Sequence, residues 1–452
     1  MPELPEVETV KNRLLPYVLG RTIVDIDIRY PKYECLKEIK GETIEGIRRR
    51  GKFLIFIMKN HYMVSHLRME GKYFIEKEER FNKHDLVKFT LNDSILYYND
   101  VRKFGIFNVF SKDEDIDNLE PLSKVGPEPF DISKEDLYQK LQKKNDYIKT
   151  ALLDQSIISG LGNIYVDEVL YKSQINPYRK ANSITLSECE LIIKHSIDTL
   201  NESIVEGGST IKSFTSLNNE SGHFQGRLLV HLRENERCYR CNNIIVKDKC
   251  NGRGTYYCQA CQRLIPNSKY YAITGGFSSG KSTVLNIIKN KGYKTYSLDE
   301  IYSELYSTSK EMLREIKKAF NTVDKNEIKE KVFFNKEQND ILKGITHKYV
   351  IKELYNRIQK ENVVVAFIEV PLLFEGGFER SFDKIICVNE SDEVLDLLLK
   401  NKGYKKEDYL IRNASQLDKN EKIKRSDYVI NNDSDLKNLE KQVNVLLEKL
   451  EV

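Results

Sequence analysis

The sequence predicts a multidomain chain, α+β in its first half and α/β in its second, and three observations carry that prediction. Residues 1 to about 120 alternate strand-like apolar runs with turn residues, after which the periodicity becomes helical. Two Cys-x2-Cys knuckles, Cys238/Cys241 and Cys258/Cys261, bracket a hairpin-length insert. Fourteen residues beyond Cys261 begins Gly275-Gly276-Phe-Ser-Ser-Gly280-Lys281-Ser282-Thr283, a phosphate-binding loop pattern between a strand-like run and a helical one. A four-cysteine knuckle closes a structural module, and a loop of this kind opens a nucleotide-binding one. Two separate machines therefore share one polypeptide.

With 452 residues, 40% hydrophobic and 31% charged, the chain is long enough to bury more than one core. No apolar run approaches the roughly 18–20 residues that span a bilayer. The opening MPELPEVETV is acidic and lacks the apolar stretch of a secretory signal. Paired Cys-x2-Cys knuckles suit zinc in a reducing compartment, so a cytoplasmic protein without a membrane is expected. Cys35, Cys189 and Cys387 read as buried or incidental thiols, and Cys250, outside both knuckles, as unliganded. A net charge of +4 does not advertise nucleic-acid binding, so any such surface must be a local patch.

The elements follow in order. A helix is expected around Glu6–Leu15, with Pro and acids at its start. Strands are expected at Thr22–Arg29, Phe53–Met58, Leu86–Leu91 and Ile106–Phe110, forming a β-sandwich over residues 1–120. Pro121–Pro129 is a Pro/Gly-punctuated linker. Helices at Lys134–Lys144, Ile148–Asp154, Ile164–Lys172 and Ser187–Ser203, broken by the tight corner Gly160-Leu-Gly-Asn163, make a second domain, 130–236. Residues 237–265 fit a zinc-stapled β-hairpin whose four thiolates Cys238, Cys241, Cys258 and Cys261 form a closed, structural site. From 269 to 452, strands Tyr270–Thr274, Val363–Val370 and Ile385–Val388 with helix Lys281–Asn290 suggest a doubly wound parallel sheet.

Pro2, Glu3 and Glu6 admit two readings. One is a helix start; the other is chemical. With Met1 removed, Pro2 is a secondary amine, and α-amino groups titrate near pH ~8, so it can attack a sugar aldehyde carbon while a neighbouring carboxylate moves protons. The blocks MPELPEVETV, His66-Leu-Arg-Met69-Glu-Gly71, Lys83-His84-Asp85, Arg102-Lys-Phe104-Gly105, Gly126-Pro-Glu-Pro129, Gly160-Leu-Gly-Asn163-Ile-Tyr165 and the cysteine knuckles, in this order, resemble bacterial formamidopyrimidine-DNA glycosylase across residues 1 to about 265. The resemblance implies a DNA glycosylase and AP lyase that excises oxidised purines (8-oxoguanine, formamidopyrimidines) from double-stranded DNA by β,δ-elimination, working as a monomer. Pro2 would attack the sugar C1′, Glu3 would act as general acid/base, and Lys52 would sit beside the pocket against phosphate. Arg253, grouped with these catalytic residues, would lie at the hairpin tip in the minor groove. Glu6 would help position the lesion and His84 would belong to the DNA-binding set. Met69, Arg102 and Phe104 would fill the gap left by the extruded base, with Arg102 facing the orphaned cytosine. Lys149 and Asn163 would contact backbone phosphates in a helix–two-turn–helix element. The Gly/Ser/Asn-rich stretch 207–226 would form a lid over the base. One stretch departs from the family: His231–Arg237 stands where a more glycine-rich segment is usual.

In the second half, Ile273–Gly276, Gly280–Thr283, Leu298-Asp299-Glu-Ile301, Ile345-Thr-His347, Val370–Glu375 and Asp427–Asn432 resemble dephospho-coenzyme A kinase from about Lys269 onward. That resemblance implies a P-loop kinase taking ATP with Mg²⁺ and dephospho-coenzyme A. Gly275, Gly276, Gly280, Lys281, Ser282 and Thr283 would hold the phosphates and metal. Asp299 would take the proton from the ribose 3′-hydroxyl, His347 and Pro371–Glu375 would line the acceptor site, and Asn431 and Asn432 would lie near adenine. Three departures matter. Ser297 replaces the first acid of an Asp-x-Asp pair, Glu369 replaces an Asp, and Leu398 and Lys402 stand where lid arginines are expected. Lys402 remains the candidate phosphate contact there, although a point charge does not reproduce a bidentate fork. The departures set a second reading beside the first: an active glycosylase with a degenerate nucleotide-binding or structural C-terminal domain.

Overall fold

The computed structural model describes residues 2–80, 82–209, 217, 221–333, 335–391, 393–395 and 416–452. They divide into two units, Met1–Arg233 with Lys247–Tyr257, and Glu234–Val246 with Cys258–Val452. The cysteine knuckles thus group with the second unit and the tip of their hairpin with the first. Among the described residues, no helix is long and apolar enough to cross a membrane.

The first unit starts with α1 (Leu4–Val18). Pro5 lies in its first turn, and the Glu6 carboxylate accepts the Glu3 N–H at 2.8 Å, satisfying a donor that a helix start leaves open. Its stripe of Val7, Val10, Leu14 and Val18 is buried in the core of a β-sandwich. The sandwich strands are β1 (Ile23–Ile28), β2 (Ile44–Arg50), β3 (Phe53–Met58), β4 (His61–His66), β5 (Lys72–Glu76), β6 (Asp85–Leu91), β7 (Ile95–Asn99) and β8 (Ile106–Ser111). Two antiparallel sheets result, ordered β1-β6-β7-β5 and β2-β3-β4-β8. Ile23, Tyr73, Phe89 and Leu96 of one sheet share a core with Leu54, Phe56 and Met63 of the other.

Strand β2 escaped the sequence reading because its last three residues are arginines. Each is paired elsewhere in the fold: Arg48 and Arg50 with Asp117, and Arg49 with Glu8 and Glu128. Glu128 also accepts the Gly51 N–H at 2.7 Å, so the Gly126–Pro129 block holds the turn that carries Lys52.

The helical part comprises α2 (Lys134–Gln142), α3 (Ile148–Leu153), α4 (Asn163–Lys172) and α5 (Leu186–Val205). Ser133 caps α2 and a Thr185/Glu188 capping box starts α5. Strands β9 (Ile245–Cys250) and β10 (Arg253–Cys258) form the predicted hairpin. Asn251 (φ 46°) and Gly252 (φ 77°) make its two-residue turn, the Asn-Gly chemistry that suits a type I′ hairpin. In the atypical 231–237 stretch, Leu232 (φ 64°) and Asn235 (φ 68°) take left-handed backbone without glycine.

The second unit contains β11 (Lys269–Gly275), α6 (Lys281–Asn290), β12 (Lys294–Ser297), α7 (Leu298–Thr308), α8 (Lys310–Phe320), α9 (Lys325–Phe333), α10 (Lys336–Lys360), β13 (Val365–Glu369), β14 (Lys384–Glu390), α11 (Lys419–Lys424), β15 (Tyr428–Asn432) and α12 (Leu436–Lys449). The five strands are all parallel, ordered β12-β13-β11-β14-β15. Val284 and Ile288 of α6 and Leu439 and Val443 of α12 pack with Ile273, Phe367 and Ile386 of the sheet. Strand β11 is where the order reverses, so its carboxyl end opens a crevice, and the phosphate loop lies there.

Candidate active sites

The first site is built where the start of α1 meets the start of α4. Leu4 N–H donates to Gly160 O at 3.0 Å, fixing the chain terminus against the Gly160–Asn163 corner. The Glu3 carboxylate accepts from Ile164 N (3.0 Å) and Tyr165 N (3.4 Å), the open donors at the positive end of α4. Gly162 has to be glycine: a Cβ there would stand 2.3 Å from the Glu3 carboxyl carbon. Lys52 is buried, and its ammonium donates to Leu161 O at 2.7 Å. Burial pulls the Lys52 pKa below its ordinary value, against the Glu3 and Glu6 carboxylates, which hold it up. Pro2, also buried, directly precedes this cluster.

Glu6 is enclosed rather than facing solvent. It accepts from Glu3 N, from Tyr165 OH (2.6 Å) and from Ser209 N (2.7 Å), and burial, with Glu3 nearby, raises its pKa. It therefore ties Glu3 to the first described residues of the 207–226 stretch. Residues 210–216 and 218–220 of that expected lid lie outside the described residues. Tyr165, which the sequence offered only as part of a motif, is the shared partner of Glu6 and Ser203.

Met69 and Phe104 are 37% and 49% exposed on two neighbouring loops, an unusual presentation for large apolar side chains. The Arg102 guanidinium lies over the Phe104 ring at 4.7 Å. Asp100 accepts from Arg102 N (3.0 Å) and Gly105 N (2.8 Å), shaping the loop. A Cβ at Gly71 or Gly105 would collide with the Tyr98 hydroxyl at 2.4 and 1.8 Å, so Tyr98 braces both loops. No motif revealed Tyr98. His84 is half-buried, and its carbonyl accepts Asp100 N at 3.0 Å.

Lys149, expected at a backbone phosphate, has its ammonium engaged within the protein. Its side chain is fully buried, and its ammonium pairs with the equally buried Asp167 (2.7 Å) and donates to Gly254 O (2.8 Å). Asn163 Nδ2 donates to the same carbonyl at 3.0 Å. Both residues hold the hairpin tip, and so place the exposed Arg253 near enough to Lys52 for their charges to interact. Asp167 also accepts from His231 Nδ1 (2.8 Å) and Tyr256 N (3.3 Å). Lys149→Ala is expected to cost about 3–5 kcal/mol, because it takes the paired cation from a buried carboxylate. The denaturant midpoint followed by tyrosine fluorescence reads that cost.

The four cysteines Cys238, Cys241, Cys258 and Cys261 bring their Sγ atoms within 4.8 Å of one another. The Cys238–Cys261 and Cys241–Cys258 separations of 3.8 and 3.4 Å fit the ~3.8 Å edge of a tetrahedron with ~2.3 Å zinc–sulfur bonds. Cys250 is no part of the cluster; its thiol lies 3.9 Å from Thr150 Oγ1.

The second site surrounds the phosphate loop. Gly275 (φ 152°) and Gly280 (φ 95°) bend it, and Lys281 Nζ donates to Gly276 O at 2.7 Å. Ser282 Oγ faces Glu369 (3.3 and 3.4 Å to its two oxygens), and Thr283 follows on the first turn of α6. Asn432 Nδ2 donates to Ser279 O at 3.0 Å; Asn431 is exposed, its side chain bonded to Asn389. A cavity of about 470 Å³ is lined by Asp299, His347, Pro371, Leu372 and Phe378 among others. Burial raises the Asp299 pKa and lowers that of Lys281, each opposed by the other's charge. Glu375 instead pairs with the buried Lys422 at 3.0 Å, which nothing in the sequence singled out. Leu398 and Lys402 lie outside the described residues.

The buried His66 of the first unit and the half-buried His347 of the second add a pH signature. Burial holds His66 at about 3, with Nδ1 accepting Arg68 N at 2.9 Å, and His347 at about 4. Unfolded histidine titrates near ~6.5, so below that pH the unfolded state takes up the extra protons. Stability of both units is expected to fall as pH drops from 6.5 toward those values, and denaturation midpoints at pH 8, 6 and 5 measure it.

Residues 1–107 match the family model of the formamidopyrimidine-DNA glycosylase N-terminal domain, 125–215 that of its H2TH domain, and 270–438 that of dephospho-CoA kinase. Formamidopyrimidine-DNA glycosylases of Bacillus cereus and Mycoplasma mobile are 47% and 44% identical over 277 and 274 residues, covering 59% and 58% of this chain and 100% of their own. Among solved structures, wild-type Lactococcus lactis Fpg with a DNA containing N7-benzyl-Fapy-dG is similar at TM-score 0.54 and 40% identity, over 58% of this chain and 100% of that one. The same protein with abasic-site DNA gives 0.53 and 39%, over 58% and 99%. The chain belongs to the formamidopyrimidine-DNA glycosylase family and carries, after that sequence, a dephospho-CoA kinase domain.

Proposed function

We propose that the first half releases oxidised purines from duplex DNA and cleaves the resulting abasic site, while the second half phosphorylates the 3′-hydroxyl of dephospho-coenzyme A. The domain limits that go with this reading are 1–120, 130–236, 237–265 and 269–452. In the repair half, the Pro2 amine attacks C1′ as the bond to the base breaks, and the base leaves with a proton. The iminium formed then loses the 3′ and 5′ phosphates in successive eliminations. Glu3 moves the ribose proton; its charge is stabilised by the α4 amides and by Lys52. Met69, Arg102 and Phe104 fill the emptied stack, and Arg253 meets the backbone. Bound zinc would staple the hairpin through its four cysteines. The observation that carries this reading is the Glu3 carboxylate held at the α4 terminus beside buried Lys52.

The test is borohydride trapping on an 8-oxoguanine duplex. A covalent protein–DNA adduct that persists in wild type and disappears when Pro2 is acetylated is expected; no adduct overturns the reading.

In the kinase half, the phosphate loop would hold ATP, with Ser282 on the nucleotide-bound Mg²⁺ and Asp299 facing the acceptor hydroxyl. Two departures from the family support activity rather than decay. Ser297 lies close enough to Glu369 to favour its charged form, so the lost acid and the lengthened acid sit side by side. A second carboxylate at 297 would repel Glu369 there. Coenzyme A formation from ATP and dephospho-coenzyme A tests the assignment. ATP binding without product favours the degenerate reading.

A further inference from the structure

We propose that the four-cysteine knuckle positions the loop that receives the kinase acceptor, with Arg237 and Asn242 as its positioning residues. This rests on the kinase reading above, and all the residues concerned belong to the second unit. After β13 the chain runs from Pro371 to Ser381 in successive turns, closed by Gly376 N to Leu372 O and Phe378 N to Leu373 O, both 3.0 Å. Pro371, Leu372 and Phe378 line the cavity that holds Asp299 and His347. Gly376 O accepts from Arg237 Nη1 and from Asn242 Nδ2, each at 3.2 Å. Asn243 Nδ2 donates to Ser381 Oγ at 3.0 Å, and that hydroxyl donates to Cys241 O at 3.3 Å. The Arg237 guanidinium lies 5.3 Å from the Phe378 ring centre, and Phe378 meets His347 edge-on at 5.7 Å. One loop therefore touches the cavity with Phe378 and the knuckle with Gly376 and Ser381.

The knuckle is what aims these side chains. Asn242 follows Cys241 directly and takes left-handed backbone (φ 63°). Asn242 N donates to Cys238 O (2.8 Å) and Cys238 N to Asn243 O (2.6 Å), so the turn between the first two thiols also sets the asparagines. Four thiolates on one metal lock that turn. Freed of it, the 371–381 loop loses its anchoring donors, and the acceptor hydroxyl is no longer held in register with Asp299. Small misplacements of a reacting group are costly.

The test uses the full chain with all cysteines intact, as Arg237→Ala and Asn242→Ala. In each, the KM for dephospho-coenzyme A is expected to rise about fivefold or more, from loss of a hydrogen bond to a fixed partner, with the KM for ATP and the borohydride-trapped DNA adduct unchanged. Arg237→Lys should recover part of the loss. Amide hydrogen exchange across 371–381 should quicken in both alanine variants, and in wild type stripped by a zinc chelator, and slow again on zinc return. Unchanged exchange, or a KM for ATP that rises in step, overturns the proposal. Should wild type form no coenzyme A, the kinase reading fails, and exchange at 371–381 still decides whether the knuckle holds the loop.

Discussion

Glu3→Gln is expected to slow base release by about 10²–10⁴-fold, the range that a positioned acid/base supplies. The substitution keeps the side chain's length and leaves one oxygen to accept from Ile164 N and Tyr165 N, which Glu3 holds at 3.0 and 3.4 Å. What it removes is the negative charge facing buried Lys52 and the positive end of α4. The amide also places an NH₂ group against those donors, so a small shift of the α1 start is expected with it. Single-turnover excision of 8-oxoguanine, followed with DNA binding measured separately, isolates the chemical step. A slowed step with retained affinity assigns Glu3 to chemistry. Wild-type excision rates in the variant would remove Glu3 from the mechanism. Because Glu6 caps Glu3 through its own carboxylate, Glu6→Gln should act through the same site but more weakly.

Asp299→Asn is the second large effect, a loss of about 10²–10⁴-fold in kcat for coenzyme A formation, with ATP affinity retained. Asp299 lines the cavity beside the phosphate loop; although its surface is exposed, partial desolvation by the cavity walls raises its pKa from the ordinary 3.8, with Lys281 pulling it back. A base works only when deprotonated. The acid limb of kcat/KM is therefore expected above that of a free aspartate, and Lys281→Ala, which removes the lowering charge, should push it higher still. A pH–rate profile that is flat through this limb would leave Asp299 without the role of base. Lys281→Ala should in addition weaken phosphate binding, which Asp299→Asn should not, so the two variants separate nucleotide from acceptor effects.

Much of this was legible in the chain, for a physical reason. Helix starts, the Asn251-Gly252 turn, the phosphate loop and the cysteine knuckles are local devices whose residue types are dictated by backbone geometry and short-range chemistry. Regular strands with clean apolar runs, such as Phe53–Met58, were equally readable. Strands β2, β4, β5, β7, β12 and β15 were not; β2 carries charges whose partners come from distant segments, and β12 is only Lys294–Ser297. The burial of Lys149 was illegible too. Nothing near it in the chain announces that its partners are Asp167 and the Gly254 carbonyl. Tyr98 and Lys422 sit in no motif; only packing brings one against the Gly71 and Gly105 loops and the other onto Glu375.

By itself, then, the sequence marked both families, since the Pro2-Glu3 opening, the four cysteines and Gly275–Thr283 are motifs of adjacent or regularly spaced residues. Only the tertiary structure decided which unit the cysteine base packs with, how Glu6 and Tyr165 fasten Glu3, and what lies behind the cavity beside Asp299. These depend on contacts between residues more than a hundred positions apart, such as Arg237 and Asn242 on Gly376. No local propensity encodes a pairing of that kind; it exists only once separate hydrophobic cores have brought the segments together.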